Sequence, residues 1–334
     1  MTEFSAPFSV PYAAPAKLNL MLRVVGRRPD GYHLLQTVFR FIDYGDTLRF
    51  RVRDDGVIAR VNQVPGVPHE ADLCVRAARL LQQISGTRLG ADIQLDKRLP
   101  VGGGLGGGSS DAATTLLALN GLWKTCITRS QLLDFSVNLG ADVPVFVYGK
   151  NALAEGIGEQ LQALELPPAW YVVLCPPVAV PTAAVFSHPD LKRDSKKVTL
   201  QGFSGAGSAA KDALFINDLQ PLVVRLYPQV GRHLAWLTEH AAQINCAEHA
   251  AQINCAQHAA QINCAQHATQ SSAQYAAQRG PALMTGSGAC VFASFGSEAA
   301  ARRVIAQLPA DMQGFVAQGL SHHPLHDLEN NLDV

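Results

Sequence analysis

The strongest constraint on this chain is a run of six glycines in seven positions: Gly102, Gly103, Gly104, Gly106, Gly107 and Gly108, interrupted by Leu105 alone. Glycine reaches positive φ freely and lets main-chain N–H groups approach a ligand with no Cβ in the way, so the loop is suited to an anion. Leu99, Pro100 and Val101 lead into it, and Ser109, Ser110 and Asp111, all N-cap residue types, follow. Residues 112–119 then favour helix apart from Thr114 and Thr115. The pattern predicts a helix whose N-terminal N–H groups and positive dipole end face the glycines, an arrangement that holds phosphate.

Which kind of phosphate loop this is can be narrowed from its flanks. A nucleotide-triphosphatase P-loop ends in Gly-Lys-Ser/Thr, whereas here Gly108 is followed by Ser109. A dinucleotide fingerprint is formally present at Gly102, Gly104 and Gly107 but requires a following strand that ends in an acidic residue. Residues 121–130 offer no such strand, and no acid occurs before Asp134. A flexible linker would not be flanked by Leu-Pro-Val and an apolar helix.

Elsewhere the sequence reads as alternating strands and helices. Residues 10–25 alternate with strand period and place Lys17 and Asn19 on one face. Pro29-Asp30-Gly31 is a turn that delivers Tyr32 and His33 side by side. Short strands are expected at 38–44, 47–52 and 57–61, with turns at Gly45-Asp46 and Asp54-Asp55-Gly56, then a helix over 72–85 ended by Gly86 and a strand at 91–95. Thr128 and Gln131 form a capping-box signature for a helix through Leu139. Asp142 follows at a bend made rigid by Pro144 and leads into a strand over 145–148; a carboxylate among apolar neighbours needs a partner there. Residues 178–186 read as an extended piece, and helices are expected at 211–214, 219–227, from 231 to at least 241, and 298–308. The Pro167-Pro168 pair divides the chain into domains 1–168 and 169–334.

From 240 to 268 a nine-residue unit, His-Ala-Ala-Gln-Ile-Asn-Cys-Ala-Glu/Gln, occurs three times, and each copy carries Cys-x2-His. Successive copies would face opposite sides of a helix, so no four ligands converge, and the unit reads as a helical extension or loop rather than a metal site. The His322-His323-His326 tail reads as a polar terminus. Lys plus Arg and Asp plus Glu number 27 each, which gives no basic surplus for nucleic acid. No membrane span or secretion signal is apparent, so a cytoplasmic protein with reduced thiols is expected from its seven cysteines.

The sequence around Pro100 and the stretch 104–111 resembles the phosphate loop of the GHMP kinases. Further segments, in order, narrow the likeness: Pro15-Ala16-Lys17-Leu18-Asn19, Arg28-x-Asp30-Gly31-Tyr32-His33, Gly140-Ala141-Asp142-Val143-Pro144, Asn217-Asp218-Leu219 and Met284-Thr-Gly-Ser-Gly-Ala-Cys290. They resemble the GHMP kinases of the non-mevalonate isoprenoid route, which phosphorylate the 2-hydroxyl of a cytidine-diphospho sugar alcohol. Gln220 stands where those kinases often carry Glu, and the nine-residue repeat has no counterpart among them.

The resemblance implies a two-domain α/β (α+β) GHMP kinase fold. Its N-terminal domain holds a mostly antiparallel sheet, its C-terminal domain is smaller and ferredoxin-like, and the active site lies in the cleft. It implies ATP as co-substrate with Mg²⁺, no nucleic-acid or membrane partner, and a monomer or weak homodimer. Pro100, Val101, Gly102, Gly103, Gly104, Leu105, Gly106, Gly107, Gly108, Ser109 and Ser110 would hold ATP, with Ser110 or Ser109 near the metal. Asp142 would be the base and Lys17 its cationic partner. Asn19, Tyr32, His33 and Phe186 would bind the substrate, His33 at the base edge and the two aromatic rings on its faces. Homoserine or mevalonate kinase-like activity is the alternative the loop alone permits.

Overall fold

The computed structural model describes residues 7–199, 215–261 and 282–327, with the backbone alone over 246–261. Its framework is a long antiparallel pair, β1 (Tyr12–Arg27) and β2 (His33–Arg53). The predicted break at Gly45-Asp46 does not occur. β2 continues as strand, bulging at Asp43 and Tyr44 opposite the Pro15–Ala16 step, and a Cβ on Gly45 would lie 2.1 Å from the Ala14 carbonyl oxygen. Gly45 thus permits close strand approach rather than a turn.

Around this pair lie β3 (Ile58–Arg60), β4 (Gly90–Asp96), β5 (Ala152–Glu155) and β6 (Gln160–Ala163), in the order β3-β4-β2-β5-β6 with β1 paired to β2. Only β3 and β4 pair in parallel, so the sheet is mostly antiparallel as expected. Helix α1 (Leu73–Ser85) starts where the Asp72 carboxylate accepts the Cys74 N–H at 2.7 Å and stops at left-handed Gly86. Helix α2 (Gly107–Leu122) begins inside the glycine run with Gly106 as its cap, earlier than the serines predicted. Helix α3 (Arg129–Ser136) carries the complete Thr128/Gln131 capping box.

The expected strand at 145–148 is instead helix α4 (Val143–Tyr148). Pro144 fits the first turn, where its missing N–H would have no helical partner, and Gly149 at φ +79° ends it. Five of its six residues are buried, so its sequence is apolar all round and resembles a core strand.

The second sheet has the order β10-β7-β9-β8, from β7 (Trp170–Leu174), β8 (Leu283–Met284), β9 (Val291–Phe295) and β10 (Gly314–Gln318), all antiparallel. Residues 182–186, part of the stretch 178–186 expected to be extended, lie in helix α5 (Thr182–Ser187), with the predicted helices α6 (Gln220–Leu226) and α8 (Glu298–Ile305) also present. The helix expected at 211–214 lies outside the described residues. Helix α7 (Pro228–Gln261) runs into the nine-residue repeat, and buried Ala241 shows that the first copy starts on packed helix. Cys264 and His267 lie outside the described residues.

A core cluster joins the two sheets, with Ala16, Leu18, Leu99 and Leu105 against Tyr171, Val173 and Phe292. Residues 319–326 then cross back to the first sheet, where Leu320 N–H donates to Phe41 O and His323 N–H to Gly149 O, both at 2.8 Å. The tail is therefore no polar terminus: His323 is fully buried, edge-on to Phe41 and Phe146, and its Nδ1 accepts the Leu325 N–H at 3.0 Å. Burial, then the neighbouring Arg129, His326 and His322, push its pKa down to about 3. Among the described residues no group of three His, Cys, Asp or Glu could hold a metal, and no helix is long and apolar enough to cross a membrane.

Candidate active site

A cavity of about 500 Å³ is lined by the glycine loop, by Lys17, Asn19, Thr37 and Asp142, and from the second half of the chain by Thr182, Phe186, Gly286 and Ser287. Positive φ alternates along the loop at Gly102, Gly104 and Gly106. This turns successive main-chain N–H groups toward one concavity, and the first turn of α2 adds its free N–H groups. The loop is wedged rather than loose. A Cβ on Gly104 would lie 2.2 Å from Thr285 O, and one on Gly106 would lie 3.0 Å from Lys17 and from Phe146. Leu105 O accepts the Lys17 N–H at 3.0 Å, Gly103 O accepts the Cys290 N–H at 3.1 Å, and Asn217 Nδ2 donates to Met284 O and Gly286 O. Only glycine fits where the two backbones meet.

Lys17 and Asn19, on one face of β1 as the strand period requires, point into the cavity. Lys17 Nζ donates to Asn19 Oδ1 at 2.5 Å, pairs with Asp142 Oδ2 at 3.2 Å and lies 5.4 Å from the centre of the Phe39 ring. Asn19 is fixed in turn, its Nδ2 donating to Thr37 Oγ1 at 2.8 Å and its N–H to Thr285 Oγ1 at 3.0 Å. Lys17 is 2% exposed whereas Asp142 is 37% exposed, so the ammonium is sealed below and the carboxylate faces the space. Asp142 caps α4 without any side-chain hydrogen bond to the helix, which leaves its oxygens for Lys17 and for a ligand.

Of the two loop serines, Ser110 is fully buried and its hydroxyl donates to Pro15 O at 2.7 Å, while Ser109 lines the cavity. Phe186, on α5, also lines it. Tyr32 and His33 do not: Tyr32 is 60% exposed, and the His33 ring sits at the rim with its centroid 5.1 Å from that of Phe186. Thr182 Oγ1 and Ser287 Oγ, 2.7 Å apart, bridge the rim between α5 and the 285–288 bend.

Sequence reasoning missed Lys97, which also lines the cavity. Its Nζ bonds Asp46 Oδ2 at 2.5 Å and Asp111 Oδ2 at 2.7 Å, while Asp46 Oδ1 accepts the N–H groups of Arg98 and Leu99 at the loop entrance. Burial, partly offset by Lys97, raises the Asp111 pKa to about 8, so near neutral pH one proton is held beside the two carboxylates and the lysine. A lysine five positions ahead of Gly102 was the available signal. Gln220 is accounted for as well, since its Oε1 accepts the Met284 N–H at 2.8 Å, a bond a carboxylate could also accept. Cys74, Cys126, Cys175 and Cys290 are free thiols, with Cys175 and Cys290 Sγ atoms 3.7 Å apart.

Comparison with known proteins decides the family. The model for the GHMP kinases N terminal domain matches residues 72–150. The 4-diphosphocytidyl-2-C-methyl-D-erythritol kinase of Nitrosospira multiformis is 52% identical over 326 residues, 98% of this chain and 96% of that one. The chain belongs to the 4-diphosphocytidyl-2-C-methyl-D-erythritol kinase family. The kinase of that name from Thiobacillus denitrificans is 52% identical over 317 residues, covering 95% and 97% of the two chains. A solved structure of 4-(cytidine 5'-diphospho)-2C-methyl-D-erythritol kinase is 29% identical with a TM-score of 0.68, covering 93% of this chain and 99% of that chain. Homoserine kinase from Cytophaga hutchinsonii, 15% identical with a TM-score of 0.61 over 97% of each chain, shares the fold. This member therefore has the GHMP kinase architecture expected from its loop, and it is a kinase.

Proposed function

We propose that this kinase transfers the γ-phosphoryl group of ATP to the 2-hydroxyl of 4-diphosphocytidyl-2-C-methyl-D-erythritol, giving the 2-phosphate and ADP in the non-mevalonate route to isoprenoid precursors. The observation that carries the reading is the Lys17–Asp142 pair, 3.2 Å apart, lining one cavity with the glycine loop against which the Lys17 side chain lies. Phosphoryl transfer asks a protein mainly for positioning and charge. The loop amides hold the phosphates, and Asp142 accepts the proton as the substrate oxygen bonds to phosphorus and the bond to ADP breaks. Lys17, aimed by Asn19, keeps that carboxylate oriented and offsets the charge that builds on the transferring group. Ser109, which lines the cavity, rather than Ser110, whose hydroxyl is bonded to Pro15 O, would be the side chain to help hold Mg²⁺, which would supply charge neutralisation.

At the other end Asn19 lies toward the sugar alcohol, and Phe186, Tyr32 and His33 take the cytosine at the rim. The division into domains 1–168 and 169–334, a monomer or weak homodimer, a cytoplasmic location and the absence of nucleic-acid or membrane partners belong to the same reading. The even charge balance supports it.

A coupled ADP-release assay with the cytidine-diphospho substrate tests the proposal. Turnover is expected with that acceptor and not with homoserine or mevalonate. Turnover with either of those, and none with the cytidine compound, would overturn it.

A further inference from the structure

His33 and Phe186 come from opposite halves of the chain, and one side chain ties them together. Arg193, in the stretch after α5, donates Nε–H to His33 Nε2 at 3.0 Å. Its Nη1 donates to Leu191 O at 2.9 Å and Pro189 O at 3.4 Å, and its Nη2 to His188 O at 2.7 Å and Phe186 O at 3.0 Å. A guanidinium has five N–H donors in one rigid plane, and here all five have an acceptor. Four carbonyls fix the bend that follows Phe186. The fifth acceptor is a ring nitrogen 160 positions away in sequence.

That fifth bond determines the state of the ring. Nε2 accepts, so it carries no proton, and the neutral imidazole must hold its proton on Nδ1. Partial burial, then the positive charges of Arg193 and Arg27, keep the His33 pKa below the ordinary imidazole value. The Arg27 side chain is itself held, its Nε donating to Gly31 O at 3.2 Å, so it stays close to the ring. His33 thus presents one fixed donor at the rim.

We propose that Arg193 is the positioning residue of the pyrimidine end: it locks the tautomer of His33 and the backbone behind Phe186 in one plane, so that both reach the base already set. This rests on the reading above that His33 and Phe186 receive the cytosine. Lysine cannot substitute, because an ammonium offers three donors around a point and no planar fork. Pre-setting two contacts lowers the ordering required on binding, so the effect falls on substrate affinity rather than on the transfer step.

The test combines kinetics with ¹⁵N-histidine spectra. Arg193→Gln and Arg193→Lys are each expected to raise KM for the cytidine-diphospho substrate by roughly tenfold. Their kcat and KM for ATP should stay close to the parent's. The parent His33 resonances should report Nδ1–H at neutral pH, and Arg193→Gln should move them toward Nε2–H and raise the ring's pKa. An Nε2–H ring in the parent overturns the proposal, with or without a foldable variant. An unchanged substrate KM in both variants overturns it too, as does Arg193→Lys that behaves as the parent. If instead the parent fails to turn over the cytidine substrate, the functional reading falls, and the tautomer result still stands or fails by itself.

Discussion

Acid should loosen this protein through His323, by an amount the structure sets. The native ring titrates at about 3 because it is buried against Phe41 and Phe146, whereas an unfolded histidine titrates near ~6.5. The unfolded chain therefore binds the proton first. Stability is complete above the unfolded value and is lost as pH falls from there toward 3. At pH 5 the unfolded ring is about 97% protonated and the native ring neutral, so the linked loss is about 2 kcal/mol, rising toward about 5 kcal/mol at the acid limit. His323→Asn supplies the check. The asparagine oxygen can still accept the Leu325 N–H, but nothing titrates. The smaller side chain should lower stability by about 1–3 kcal/mol at every pH through lost ring contacts. What distinguishes the variant is its slope. Urea unfolding followed by tryptophan fluorescence at pH 7.5 and pH 5 should show the parent losing about 2 kcal/mol more than His323→Asn, with other titrating groups cancelling between the two. Equal losses in the two proteins would refute the argument. The same transition bears on activity, because His323 N–H is bonded to Gly149 at the end of α4, whose other end carries Asp142.

Other perturbations read other parts of the molecule. Asp142→Asn should lower turnover by roughly 10²–10⁴ while calorimetric ATP affinity is retained; near-normal turnover would remove Asp142 from the chemistry. Asp111 has its native pKa raised to about 8 by burial, so the unfolded state releases its proton first and stability falls as pH rises between the ordinary carboxylate value and 8. Asp111→Asn should therefore gain melting temperature relative to the parent as pH rises from 5 to 8.5, and a constant difference would contradict that assignment. Replacing residues 246–281, which begin beyond buried Ala241 and half-buried Ile244, by a short Gly/Ser linker should keep kcat within roughly twofold; collapse of the rate would give the repeat a role in the enzyme.

Where side chain and backbone signals agreed, the sequence was legible. The helix stop at Gly86, the Thr128 cap, the glycine run and the shared face of Lys17 and Asn19 each depend on neighbours within a few positions. Legibility failed where distant contacts decide. The 143–148 segment is apolar on every side because it is wholly enclosed, so period could not separate helix from strand. Gly45 and Asp46 spell a turn, yet the first admits the Ala14 carbonyl and the second holds the loop entrance. His323 has no local mark of burial, and the role of Arg193 depends on a ring that only the fold brings near.

The meeting of Gly104 with Thr285 has a consequence for how the enzyme can be divided. One wall of the proposed nucleotide seat comes from the first half of the chain and its backing from the second, in contact at a point too narrow for any side chain. Two fragments cut near position 168 should each be blind to ATP, and recovery of nucleotide binding on mixing them would report that the seam has closed.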